Sequence, residues 1–164
     1  MENWKTFLDP AMRFTLFYPP DLMAKGKDNF LSSTDLMLTK PNSPKQFKIT
    51  VTYSLNDTNL NHPENKTIIP AFGLKNLEAQ VKPAFQIYKI VNDNLSSYDL
   101  YGYPTTGNIV DYTKYDGESG RTLNVLGIIQ GKNSFVMSYS NTIEAFYKYL
   151  PTMNDIIKTV VLLK

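Results

Sequence analysis

Residues 107–140 alternate apolar and polar side chains in three runs, 107–115, 122–130 and 134–140, and no other feature restricts the chain's fold as much. A period of two puts successive side chains on opposite faces of a strand. Between the runs stand Asp116-Gly117-Glu118-Ser119-Gly120 and Gly131-Lys132-Asn133, turn signals too short for the crossover that parallel strands require. The three runs therefore predict an antiparallel meander. Residues 46–55 add a strand with Phe47, Ile49, Val51 and Tyr53 on one face, and further strands are expected over 13–18, 30–39 and 85–91. The first of these stops at Pro19-Pro20, because proline cannot donate to a ladder.

From Pro70 the spacing changes to roughly helical, with Phe72, Leu74, Leu77 and Val81 recurring before Pro83 forces an end. A short helix fits. Asn141 or Thr142 can cap a C-terminal helix whose stripe is Ile143, Phe146, Tyr147, Leu150, Met153, Ile157 and Val160, with Pro151 expected to kink it or start a second helix. Residues 56–66 are Asn-rich and nearly devoid of apolar side chains, so they predict a loop, and residues 98–103 form an apolar piece interrupted by Gly102 and Pro104. Strands in runs with one helix in mid-chain and one at the end define an α+β fold with a mostly antiparallel sheet, in one domain over residues 1–164.

With 42% hydrophobic residues in 164, the chain is long enough to bury roughly 70% of its unfolded surface without a metal or disulfide staple. Its 17 basic and 15 acidic side chains leave a net charge of +2, which excludes a polybasic nucleic-acid binder. The absence of cysteine removes disulfides, thiolate metal sites and cysteine nucleophiles together. No stretch approaches the roughly 18 apolar residues of a membrane span, and the start MENWKTFLDP lacks an apolar signal core. The expectation is a cytosolic protein or one whose targeting segment was removed, so that membrane association would run through a missing anchor or a partner. Arg13 and Arg121 are the only arginines, a scarcity read as compositional bias.

Catalytic constellations find little support. His62 is the only histidine and stands in the Asn-rich loop, where a solvated side chain is favoured over a general base or metal ligand. A hydrolase would have to rest on it, without a GxSxG elbow. Residues 111–118 lack the alternating ligands and final bidentate Glu of a calcium loop, and Asp9, Asp21, Asp28 and Asp35 are scattered, two of them at proline-associated turns. Neither metal nor cofactor is expected. Sequons at Asn56, Asn65 and Asn94 fall in predicted loops and are candidate glycosylation sites. Tyr98, Tyr101, Tyr103, Tyr112 and Tyr115 cluster in sequence and are the one localised candidate for a partner-binding surface, against the alternative that they pack half-buried strands.

Trp4 and Phe7-Leu8-Asp9-Pro10, followed by RFTLFYPPDL over residues 13–22, resemble the opening of PsbP-like proteins, named for an extrinsic subunit of photosystem II. Gly102-Tyr103-Pro104 with residues 108–112, and the ending SFVMSYSNTIEAFYKYLPTMNDIIKTVVLL, resemble later segments of the same family in the same order. Leu22 stands where many relatives carry Trp, and Thr159-Val160 replaces a terminal Ser-Phe; both positions look structural. The resemblance implies an α/β/α sandwich with helices on both faces of the central sheet, a fold shared with Ran-binding nuclear-import factors. It carries over no catalytic residue. It implies a non-enzymatic extracytoplasmic or cell-surface domain of a prokaryote, often lipid-tethered in relatives, that binds or stabilises a protein partner at a membrane surface. The alternative is a cytosolic chaperone or adaptor of the same fold.

Overall fold

The meander expected from the alternation forms the centre of the fold. The computed structural model describes residues 2–26, 34–54, 69–96, 98–100, 102–129 and 133–163. In chain order these form β1 (Lys5–Leu8), β2 (Phe14–Tyr18), β3 (Met23–Gly26), β4 (Leu36–Thr39), β5 (Lys48–Ser54), α1 (Ile69–Val81), β6 (Phe85–Asn92), β7 (Thr105–Lys114), β8 (Ser119–Ile129), β9 (Asn133–Asn141), α2 (Ile143–Lys158) and β10 (Val161–Leu162). A large sheet has the order β3-β4-β5-β9-β8-β7-β6 and a small one β1-β2-β10. All of these pairings are antiparallel.

The order follows from two crossings. After β5 the chain passes along α1 to the far edge of the large sheet, then returns through β6, β7, β8 and β9 until β9 pairs with β5, Lys48 opposite Ser140 and Ser54 opposite Ser134. Then α2 carries it to the small sheet, where β10 pairs with β2. The outer strand β6 meets β7 with register shifts at Phe85/Ile87 and Ile90/Asn92, and Ile87 and Val91 stay exposed there.

Strand alternation makes the two faces of the large sheet chemically different. On the first face Ile49, Val51, Leu123, Val125, Phe135, Met137 and Tyr139 join Phe14 and Leu16 of the small sheet and Phe146, Met153, Ile156 and Ile157 of α2 in the main core. The second face is covered in part by α1, whose Leu74 packs on Leu126 and Ile128. Elsewhere that face is hydroxylic. Ser138 Oγ donates to Asn124 Oδ1 (2.7 Å), Asn124 Nδ2 donates to Asn108 Oδ1 (3.0 Å), and the Thr122 and Ser140 hydroxyls lie 2.7 Å apart. Helices thus stand on both faces.

At the entry to α2, Thr142 Oγ1 accepts from the Ala145 amide at 3.2 Å, so Thr142 rather than Asn141 is the cap. Asn141 instead donates to the Tyr139 hydroxyl, which itself donates to the Phe146 carbonyl at 2.9 Å. Burial pushes the Tyr139 phenol up to about 12. The helix runs through Pro151 without dividing, because that residue lies on the exposed side, where a carbonyl deprived of its N–H donor can hydrate. The expected stripe is rotated: Ile143 and Tyr147 are exposed, Leu150 is half-buried, and Ile156 joins the core. Tyr147 lies instead beneath the guanidinium of Arg121, which grips Asp111 with bonds of 2.6 and 2.8 Å. Thr159 serves the small sheet: its Oγ1 accepts from the Phe17 amide at 2.9 Å and lies 3.0 Å from the Phe17 carbonyl. Leu22 is buried in the main core. Of the strand expected over 30–39, residues 34–39 are described and β4 takes up Leu36–Thr39, and the loop expected over 56–66 lies outside the described residues.

Truncating Met153 to Ala, at a site with no exposure, is expected to cost about 2–5 kcal/mol, and Leu150→Ala clearly less, in chemical denaturation. Equal losses would show that the two faces of α2 are not distinguished by packing.

Candidate functional site

The β1–β2 turn places an acid, a cation and an exposed apolar side chain within five residues. Asp9 accepts from the Arg13 amide (3.1 Å), and the Arg13 guanidinium returns to the same carboxylate through Nε (2.6 Å) and Nη2 (2.8 Å). Nη2 also reaches Asp35 Oδ1 at 2.7 Å, while Asp35 Oδ2 accepts from the Tyr53 amide at 2.6 Å. Both carboxylates are 2% exposed. Arg13 joins the turn of the small sheet to the entry of β4 and the end of β5 in the large one. Its guanidinium also lies 5.3 Å from the centre of the Tyr53 ring. Burial is the largest influence on the Asp9 carboxyl and would raise it, but the Arg13 hydrogen bonds and charge together outweigh burial and hold it below its ordinary value. The guanidinium is in turn held further into its protonated range, chiefly by the Asp9 hydrogen bond.

Beside this clamp the first face ends in a concavity of about 590 Å³. Its walls come from distant parts of the chain. Met12 stands on the turn at φ 57°, 58% exposed. Tyr53 comes from β5, Ile129 from the end of β8, Leu162 from β10, and Tyr103 from the turn that precedes β7. That turn is closed by the Tyr103 amide donating to the Leu100 carbonyl (3.0 Å) and the Gly102 amide donating to Asp99 Oδ1 (2.7 Å). The clamp sets two carboxylates against one guanidinium, so Arg13 is not offered to an anion. The concavity presents apolar and aromatic area with hydroxyl tips, the chemistry of an anchor pocket for a protein side chain.

The structure separates the tyrosines that are neighbours in sequence. Tyr103 lines the concavity. Tyr98 is half-buried against the main core, beside Gly107, and burial raises its phenol. Tyr112 is buried on the second face, with its hydroxyl 2.6 Å from where a Cβ on Gly120 would stand, and burial followed by the Glu118 charge pushes it up to about 12. Its ring covers the backbone of its cross-strand partner, and it is therefore not available to a partner at the surface. Tyr115 is 73% exposed in the β7–β8 turn. Tyr101 lies outside the described residues, as do His62, Asn56, Asn65 and Asp28. Asn94 is exposed in the loop after β6. Among the described residues no group of three or more acidic or histidine side chains is placed to hold a metal.

Sequence reasoning missed Met12, Arg13 and Tyr53 as members of one site. A signal was present in the spacing: Asp9 and Arg13 are four apart around a proline turn, and Arg13 is one of two arginines.

Removing Arg13 leaves two buried carboxylates unpaired, so Arg13→Ala is expected to cost about 3–5 kcal/mol. Arg13→Lys should recover only part of this, since an ammonium cannot make the fork-shaped contact. A group whose folded pKa is depressed adds stability above its unfolded pKa and loses it as pH falls through the folded one. Melting curves from pH 6 to pH 2 should therefore show an acid-dependent loss below about pH 4 that is smaller in Asp9→Asn than in the wild type. Gly120→Ala should be destabilising by about 1–3 kcal/mol, because the new methyl meets both the Tyr112 hydroxyl and the Asn141 carbonyl oxygen.

No family model and no curated protein matches the sequence. Solved structures do match its course. The solution structure of cyanobacterial PsbP, CyanoP, from Synechocystis superposes with a TM-score of 0.67 at 10% identity, covering 99% of this chain and 94% of that one. The Ran-binding protein Mog1p of Saccharomyces cerevisiae gives 0.61 at 8% identity over 98% and 95% of the two chains. LpqN of Mycobacterium tuberculosis, involved in cell envelope biogenesis, gives 0.61 at 15% over 99% and 87%. At such identities the side chains have diverged while the path of the backbone is kept from end to end. The shared path, with its antiparallel sheet and helices on both faces, is the PsbP-like fold, and that is the fold of this chain.

Proposed function

We propose that the chain is a non-enzymatic domain that binds or stabilises a protein partner at a membrane surface outside the cytoplasm, and that the concavity beside Arg13 receives an apolar or aromatic side chain of that partner. The observation that carries this reading is the exposed Met12, held over an aromatic-walled recess by the buried Asp9–Arg13–Asp35 clamp. A rigid rim around an apolar recess loses little entropy on binding, which favours a few anchor residues over a broad contact. Tyr103 belongs to this surface, and the exposed Tyr115 stands outside the recess.

The neighbours support a binding role of this kind. Mog1p is a Ran-binding protein, and LpqN is involved in cell envelope biogenesis, which supports the proposed place outside the cytoplasm. No helix among the described residues is long and apolar enough to cross a membrane, and on the proposed reading attachment runs through an anchor or the partner. The likeness to Mog1p favours a second reading, a cytosolic chaperone or adaptor that uses the same recess.

A photo-crosslinking residue placed at Met12 should capture one defined protein from native membranes. The Met12→Ser variant, changed at an exposed position, should recover that partner at least about tenfold less well at an unchanged melting temperature. Equal recovery by wild type and variant would dismiss the recess, and capture from the soluble fraction alone would favour the cytosolic reading.

A further inference from the structure

On the second face of the large sheet, away from the recess, α1 and the sheet part to leave a cleft of about 360 Å³. Small-molecule sites commonly hold about 300–1,000 Å³. The cleft follows from side-chain lengths. Leu74 fills the gap between helix and sheet over β8, but toward β5 the sheet offers only short side chains: Thr50 pairs with Ser138, and Ser54 with Ser134, across the ladder. The helix meets them with Gly73, which has no side chain, and with the carboxamides of Asn76 and Gln80.

None of the described lining residues is charged. The hydrogen-bonding polarity of one wall is set by its neighbours. Ser138 spends its proton on Asn124, whose amide is oriented by its own bond to Asn108, so Ser138 presents an acceptor. The hydroxyls of Thr50, Thr52 and Ser54 make no side-chain hydrogen bond among the described residues and are free both to donate and to accept. Leu77 and Val136 supply an apolar strip beside them.

We propose that this cleft binds a neutral polyhydroxylated ligand, a monosaccharide or disaccharide. A charged ligand would give up hydration for no counter-charge among the described lining residues, and a wholly apolar one would bury hydroxyls without partners. A sugar has hydroxyls that match the mixed donors and acceptors, and C–H faces that match Leu77 and Val136. The proposal is independent of the partner-binding reading, because the recess opens on the first face of the sheet.

The test is a titration of the full chain followed by amide shifts in ¹H–¹⁵N spectra, with glucose, maltose and lactose as probes and glucose 6-phosphate as the charged comparison. At least one neutral sugar should give saturable shifts confined to residues 50–54, 76–80 and 134–138, while glucose 6-phosphate binds at least about tenfold more weakly than glucose. Thr52→Val keeps the side-chain shape and removes the hydroxyl; combined with Gln80→Leu it should weaken binding at least about tenfold. If the pair lowers the melting temperature, Gln80→Leu alone, at an exposed helical position, should still weaken binding, by less than the pair. Absence of saturable shifts with all three sugars, equal binding of the phosphorylated one, or unchanged affinity in the variants would each overturn the proposal.

Discussion

A single guanidinium holds two carboxylates out of water, and the union of the two sheets depends on it. Asp9 belongs to the turn of the small sheet and Asp35 to the entry of β4 in the large one, and each would be costly to bury alone. Arg13 neutralises both while its plane lies over Tyr53. The recess beside it is a product of this union, since Met12 and Leu162 come from one sheet and Tyr53 and Ile129 from the other. The second arginine repeats the device on a smaller scale, with Arg121 gripping Asp111 while covering Phe146 and Tyr147 of α2. The scarcity of arginine, read in the sequence as compositional bias, coincides with a structural use: both occupy positions where a planar, two-pronged cation is needed.

What was legible in the sequence was whatever is local and periodic. The meander, the strand bearing Ile49 and Val51, and both helices were recognisable because burial on one side writes a period into neighbouring residues. The strands β1, β3 and β10 were not. β10 has two residues and pairs with β2 from the other end of the chain, β3 reads Met-Ala-Lys-Gly with little burial, and β1 is largely exposed, so none of the three writes a burial period into its own residues. Resemblance to a fold family supplied the arrangement of helices on both faces, which periodicity alone does not contain.

The candidate site was less legible, and for a related reason. A run of tyrosines looks like a surface when counted along the chain, but strand alternation sends its members to different faces. Tyr112 is taken up in covering Gly120, Tyr98 in covering Gly107, and Tyr103 alone among the described members faces the recess. Glycines on the central strands create shallow places that nearby large side chains fill, as Leu100 does over Gly127. The residues that join Tyr103, by contrast, come from five separate parts of the chain, the β1–β2 turn, β5, β8, β9 and the C-terminal segment with β10.

The pairing of β5 with β9 also governs when the structure can form during synthesis. Ser54 lies opposite Ser134 and Lys48 opposite Ser140, so β5 leaves the ribosome long before its neighbour exists. Contacts this distant along the chain carry a large closure cost and tend to form late. Until β9 arrives, Ile49 and Val51 have no core to enter and β5 has an open edge available to other chains. The nascent protein therefore passes through an interval in which its N-terminal third is translated but β5 still lacks the neighbour that completes its place in the sheet.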